Sequence, residues 1–377
     1  MDALHGNKRV FEFHSGGLGM RQESTDTPAV WNGMWTQYVE SVGMVAAHDC
    51  INFGAKLGRE HPAIMATVTC ADVELHVHLE GSLEPELLCR LDPSLTLDDA
   101  RAFYRFSDFA GFLEGFKSAV RRLQTPEHYG QAAAALFGRL ADQGIRYAEV
   151  IFSAGVVEWK QQSLDEVWAA LRAAAEGAPL AVRWNADVVR QFGGDPAERI
   201  AEWAARHAGE GIVSFGIGGD ETARPAAEFS RAVAMAREAG LRFTPHAGET
   251  SNAENVWEMV RMGADRIGHG IRAANDAELL ALLRERGIGL EVCPTSNVRT
   301  GAVRSFAEHP LRRLFDAGVR VTLNSDDPAI FGCSLPGEFA TARAMGFRDE
   351  ELAAMSENAR QCAFSDDARD QGFQRAR

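Results

Sequence analysis

The residues in this chain best suited to chemistry are histidines and carboxylates set at short spacings. His76 and His78 lie two apart in Glu74-Leu75-His76-Val77-His78-Leu79-Glu80-Gly81-Ser82. On a strand, alternate side chains share a face, so both imidazoles point the same way. Imidazole is the commonest metal-binding side chain, and such a pair makes half of a metal site. His246 supplies a third nitrogen and Asp326 an oxygen. Three nitrogens and one oxygen suit Zn²⁺, with a water completing the shell. Zinc lowers the pKa of that water from roughly 15.7 towards 7, giving hydroxide at neutral pH. Glu249 and His269 are then spare acid–base groups beside the metal, and Asp327 is free to accept a hydrogen bond from substrate. Gly218-Gly219 leaves a backbone N–H open to close approach by a ring. Nothing in this set builds a covalent intermediate. It fits direct attack of zinc-bound hydroxide on an electrophilic carbon.

These residues are scattered over 250 positions, so the elements between them must bring them to one point. From Val73 onward, short β-rich runs alternate with amphipathic stretches eight times. The expected strands are Val73–His78, Arg146–Phe152, Ala181–Val189, Val213–Gly218, Leu241–His246, Arg266–His269, Gly289–Cys293 and Arg320–Asn324. Thr125-Pro126 is a helix start with proline at the first helical position, stopped at Gly144. A second helix runs from Ser251-Asn252 to Gly263 and a third from Asn275 to Gly287, striped by Leu279, Leu280, Leu282 and Leu283. Eight strand–helix units in one domain-sized stretch predict an α/β fold, a (β/α)8 TIM barrel. A doubly wound sheet would alternate in the same way. Polar residues concentrate at the expected C-terminal strand ends, where barrel enzymes keep their active sites.

The gap between the first two strands, roughly 79 to 145, is long and carries Phe103, Tyr104, Phe106, Phe109, Phe112 and Phe116. A helical insertion after strand 1 is expected there, as a lid and an apolar wall for a flat substrate or as plain packing over the barrel mouth. Residues 1–68 show no sustained period and are expected to form a poorly ordered N-terminal extension, with Met65 an alternative start. The barrel is expected over 69–365, followed by a polar C-terminal tail over 366–377.

The formal net charge of −14 argues against nucleic acid or an anionic membrane face as a partner. Six widely spaced cysteines without a Cys-x-x-Cys pair argue against both a disulfide framework and a Cys-built zinc site. No apolar run approaches a membrane span, and the N-terminus lacks the basic-then-apolar order of a signal peptide. A cytoplasmic protein acting on a small molecule is expected. The sequence specifies no oligomeric state.

His76-x-His78, His246-Ala247-Gly248-Glu249, His269-Gly270 and Ser325-Asp326-Asp327-Pro328 together resemble the adenosine deaminase family of the amidohydrolase superfamily, from about Val73 to about Phe364. The resemblance implies one Zn²⁺ per subunit held by His76, His78, His246 and Asp326. It implies Glu249 as proton donor to purine N1, and His269 as base and electrostatic partner of the hydroxide. Asp327 would bond N7 and the Gly219 backbone N3, while water adds to C6 and ammonia leaves.

Glu80 stands where many adenosine deaminases carry the aspartate that meets ribose. His78-Leu79-Glu80-Gly81 is similar instead to adenine deaminases and aminodeoxyfutalosine deaminases. Val188–Gly193, Gly216–Glu221 and Thr295–Gly301 look most like the latter, which act on a 6-aminopurine nucleoside with a benzoate-bearing tail on a route to menaquinone. That branch implies 6-aminodeoxyfutalosine as substrate, with adenosine or adenine as the alternatives, and a basic residue such as Arg190 pairing with the benzoate. A binuclear amidohydrolase would need a bridging lysine or carboxylate where strands three and four offer Arg190 and Gly218-Gly219. A cytidine-deaminase-type site lacks its His-x-Glu and Pro-Cys-x-x-Cys pairs here. A purine-nucleoside binder without turnover remains the non-enzymatic alternative, although every expected ligand and the acid are present.

Overall fold

The structure, a computed structural model, describes residues 71–370. The extension expected at 1–68 and the end of the expected tail, 371–377, lie outside the described residues. Val73, Leu75 and Val77 alternate with Glu74, His76 and His78 in β1 (Val73–His78), and all six are buried. A strand covered on both faces needs an apolar outer row and tolerates polar groups only where they find partners inside. Parallel pairing then carries the chain through β2 (Tyr147–Phe152), β3 (Ala181–Val189), β4 (Ile212–Gly218) and β5 (Arg242–Phe243). A second parallel run contains β6 (His246–Ala247), β7 (Arg266–His269), β8 (Gly289–Val292) and β9 (Val321–Leu323).

The fifth expected strand, Leu241–His246, is broken into β5 and β6 at Thr244-Pro245. Proline has no N–H to give to a ladder. Its carbonyl still accepts from Gly268 N at 2.9 Å, while Thr244 N donates to Phe215 O at 3.1 Å. The broken strand thus joins β4 on one side to β7 on the other. The remaining seam closes where Asp326 bridges to Val77. Asp326 N donates to His76 O at 2.9 Å and His78 N to Asp326 O at 2.7 Å. Counting β5 and β6 as one strand, eight parallel strands form the (β/α)8 barrel.

The helices begin and end close to the expected signals. Thr125 caps Pro126–Asp142, Asn252 caps Ala253–Arg261, and Asp276 caps Ala277–Arg286. After β1 the insertion contributes helices Pro85–Leu91, Leu97–Ala102 and Phe109–Val120. Phe112 stacks on Phe331, just beyond Asp326-Asp327, with ring centroids 5.1 Å apart. The guanidinium of Arg299 lies 5.0 Å over Phe106. The insertion therefore rests on the loops that follow the last two strands. At the other end, helix Asp349–Cys362 and the turn after it pack beneath β1 and β2, where Ala368 is buried and Asp367 pairs with Arg183. No helix among the described residues is long and apolar enough to cross a membrane.

Candidate active site

The histidines of the site sit at strand ends: His76 and His78 in β1, His246 in β6 and His269 in β7. Asp326 lies three residues past β9. His269 and Asp326 both have φ of 60°. Residues other than glycine enter this left-handed region rarely, and chiefly where the surroundings force it. At Asp326 the forcing groups are the bridge to β1 and Glu74. The Glu74 carboxylate accepts from Ser325 N at 3.2 Å and from Ser325 Oγ at 2.7 Å.

The four expected ligands meet. His78 Nε2 is 3.1 Å from His246 Nε2, and Asp326 Oδ1 is 3.4 Å from both His76 Nε2 and His78 Nε2. Ligand atoms on a tetrahedron with Zn–N and Zn–O bonds of roughly 2.0–2.1 Å stand about 3.3 Å apart. His76 Nε2 is buried without a hydrogen-bond partner, a costly state unless another group completes it. The residues therefore fit a divalent cation. Among the described residues, the grouping whose ligand-type atoms all lie within 4.8 Å of one another is His76, His246, His269 and Asp326, with His269 in the place expected for His78. His269 Nε2, however, lies 3.8 Å from Asp326 Oδ2 and 3.7 Å from Glu249 Oε2, outside the tighter shell.

Electrostatics sort these groups. Burial, reinforced by the neighbouring histidines, holds His246 well below its ordinary pKa. Burial likewise lowers His78 to about 3. Both lone pairs are thus available at neutral pH. Burial opposes a charge on His76 too, but Asp326 and Glu291 overcome it and raise that ring to about 10. Two carboxylates on one imidazole mark a place that favours positive charge. Burial and the charges of Asp326 and Glu221 push Glu249 up to about 8. Burial and Asp326 hold Asp327 well above the carboxylate range. Burial thus biases both carboxyls towards their protonated form.

Glu80 is buried in the turn after β1 and its pKa is raised by burial to about 7. Its Oε1 accepts from Ser153 N at 2.9 Å, and Oε2 has no partner. Asp327 Oδ1 packs against Gly81 of the same turn and is likewise unpartnered. Gly219 has φ of +89°, and a Cβ there would lie 2.2 Å from Gln191 Oε1. Arg190 stands apart from the others. Its Nη1 donates to Glu221 O at 2.6 Å and to Asn255 Oδ1 at 2.9 Å, and the side chain is buried.

Three supporting carboxylates and amides were not singled out by the sequence. Glu221 accepts from the backbone amides of Gly248, Glu249 and Thr250 at 2.6, 2.8 and 2.9 Å, and from Ser251 Oγ at 2.5 Å. It thereby fixes the irregular loop carrying Glu249. Glu291 Oε2 lies 2.7 Å from His76 Nδ1, which places the proton there and leaves Nε2 facing the site. Asn297 Nδ2 lies 3.1 Å from His269 Nδ1. The available signal was a carboxylate inside an apolar strand, as in Leu290-Glu291-Val292.

A family model described as adenosine deaminase matches residues 72–374. The chain is 39% identical over 331 residues to an aminodeoxyfutalosine deaminase of Streptomyces avermitilis, covering 83% of this chain and 91% of that one. Its fold resembles the crystal structure of adenine deaminase from Arthrobacter aurescens, with TM-score 0.73, 32% identity, and 79% and 94% of the two chains covered. It also resembles an amidohydrolase of Burkholderia ambifaria with bound zinc, with TM-score 0.74, 27% identity, and coverage of 81% and 89%. This chain therefore belongs to the adenosine deaminase family of hydrolytic, metal-dependent aminohydrolases.

Proposed function

We propose that the protein removes the 6-amino group of a purine nucleoside as ammonia, with one zinc ion per chain and 6-aminodeoxyfutalosine as substrate. The observation that carries this reading is the four-ligand cradle of His76, His78, His246 and Asp326 with the carboxyls of Glu249 and Asp327 buried beside it. Purine N1, N3 and N7 are all acceptors. Glu249 offers its proton to N1, Asp327 offers O–H to N7, and the Gly219 amide offers N–H to N3. Water adds at C6 as the Glu249 proton passes to N1 and the ring loses aromaticity; of the two protons of that water, one returns to Glu249 and the other goes to the amino nitrogen, which leaves as ammonia while C6 becomes a carbonyl. Zinc on His76, His78, His246 and Asp326 would supply Lewis acidity and a water acidic enough to ionise near neutral pH. His269 Nε2 faces the same centre and acts on the attacking oxygen.

Residues 69–365 carry this chemistry. The relative in Streptomyces supports the aminodeoxyfutalosine branch, as does the aromatic wall of Phe106, Phe112 and Phe331 at the barrel mouth. The second reading is adenine deamination, with which the unpartnered Glu80 Oε2 is equally compatible, since it suits the N9–H of a free base as well as a ribose hydroxyl. Ammonia release from zinc-loaded protein with aminodeoxyfutalosine, adenosine, deoxyadenosine and adenine separates them. Aminodeoxyfutalosine is expected to lead in kcat/KM by at least about tenfold, roughly 1.4 kcal/mol. Turnover of it no better than of adenosine or adenine would overturn the substrate assignment.

A further inference from the structure

The proton on the His269 ring is assigned by three hydrogen bonds that start at a backbone amide. Leu311 opens helix Leu311–Asp316, and a first-turn amide has no acceptor within its own helix. Its N–H points at His309 Nδ1, 3.1 Å away. A backbone N–H only donates, so His309 Nδ1 accepts and the proton of that neutral ring is on Nε2. Burial keeps His309 low, at about 4, so the ring is neutral at physiological pH.

His309 Nε2 lies 3.1 Å from the Asn297 side chain and donates to its oxygen. The amide is thereby oriented, and Asn297 Nδ2 faces His269 Nδ1 at 3.1 Å. An amide NH₂ also only donates. His269 Nδ1 therefore accepts, and the proton of its neutral ring is on Nε2, the atom facing Glu249 and Asp326. Asn297 and His269 are both essentially inaccessible to bulk solvent, and His309 nearly so.

We propose that Asn297 and His309 are positioning residues that hold His269 in its Nε2–H tautomer, so that His269 meets the attacking oxygen as a hydrogen-bond donor and not as a base. The inference rests on the deaminase reading for its consequence, but the tautomer is measurable without substrate. Reversing one link reverses the ring. In Asn297→Asp an oxygen replaces the NH₂ group, so a neutral His269 ring places its proton on Nδ1 and leaves a lone pair at Nε2.

The test is long-range ¹H–¹⁵N correlation of histidine-labelled, zinc-loaded protein, read with the kinetics of Asn297→Asp. In the wild type both His269 and His309 should show the Nε2–H pattern. In Asn297→Asp, His269 should switch to Nδ1–H. kcat should fall by about 10²-fold or more, the scale of a lost positioned donor, with KM within about twofold and zinc content unchanged. His309→Ala, which frees the Asn297 amide to turn, should give a smaller loss and a mixed tautomer. A wild-type His269 carrying its proton on Nδ1 would overturn the proposal whether or not the variants fold. So would a folded Asn297→Asp protein with kcat unchanged. Absence of deamination with any aminopurine would instead sink the functional reading and leave the tautomer result standing.

Discussion

The two ends of the barrel treat buried charge in opposite ways. At the N-terminal end of the strands, Arg266 sits between Glu149 and Glu291 at 2.5 Å each, donates to Cys362 O at 2.7 Å, and lies 3.6 Å from the Phe364 ring. Glu149 also accepts from Tyr147 Oη and Phe364 N. Every one of these groups is satisfied. At the C-terminal rim the side chains are buried as deeply, yet His76 Nε2, His246 Nδ1, Glu80 Oε2 and Asp327 Oδ1 have no partner. Burying a polar atom without a partner costs about 1 to 3 kcal/mol, a cost that a bound ligand would offset. Glu291 belongs to both ends, holding Arg266 with one oxygen and His76 with the other.

If that division is right, substitutions at the rim strike activity and those at the floor strike stability. The largest effect short of removing a metal ligand belongs to Glu249→Gln, which keeps the shape and loses the proton. It should lower kcat by about 10² to 10⁴-fold in ammonia-release assays, with thermal stability kept. Because the wild-type carboxyl is raised to about 8, it is protonated below that pH and loses its donor form above it. The alkaline limb of the wild-type rate profile should therefore reflect Glu249, displaced downward by a bound cation. A profile without that limb would remove Glu249 from the donor role.

At the floor, Glu149→Gln leaves Arg266 short of one carboxylate. Urea denaturation should show a loss of about 3 to 5 kcal/mol, the scale for breaking a buried pair. Turnover per folded, zinc-loaded molecule should be unchanged. Glu291→Gln is the hybrid: about 10 to 100-fold weaker zinc binding in competition with a chelator, through the loosened His76, together with a stability loss. A variant that lost stability alone would deny Glu291 its place at the metal. The smallest effect is expected at Asp327→Asn. An acid pushed towards its protonated form by burial and by Asp326 gives way to a neutral amide, so stability should rise by about 0.5 to 2 kcal/mol while activity falls. Loss of both would blur the contrast between the two ends.

Sequence spacing made the rim legible because its chemistry is local: His-x-His on one strand, His246 to Glu249 in one turn, Asp326 and Asp327 adjacent. Barrel topology then needed only the count of strands. The supporting groups were hidden for the opposite reason. Glu291 lies 215 residues from His76, and Asn297 lies 28 from His269, so only folding reveals the pairs. Arg190 shows the converse limit. Its place at the end of β3 was visible, but the direction of a long side chain is set by packing, here towards Glu221 and Asn255. The break in the fifth strand was written in Pro245, whose consequence depends on neighbours the sequence does not name.

The most direct test of the cradle is a zinc titration of chelator-stripped protein, followed by ammonia release and repeated with Asp326→Ala. Activity is predicted to rise linearly and break at one equivalent per chain in the wild type, and to stay at background in the variant. A break at two equivalents, or full turnover by the stripped protein or by the variant, would contradict a single cation held by His76, His78, His246 and Asp326.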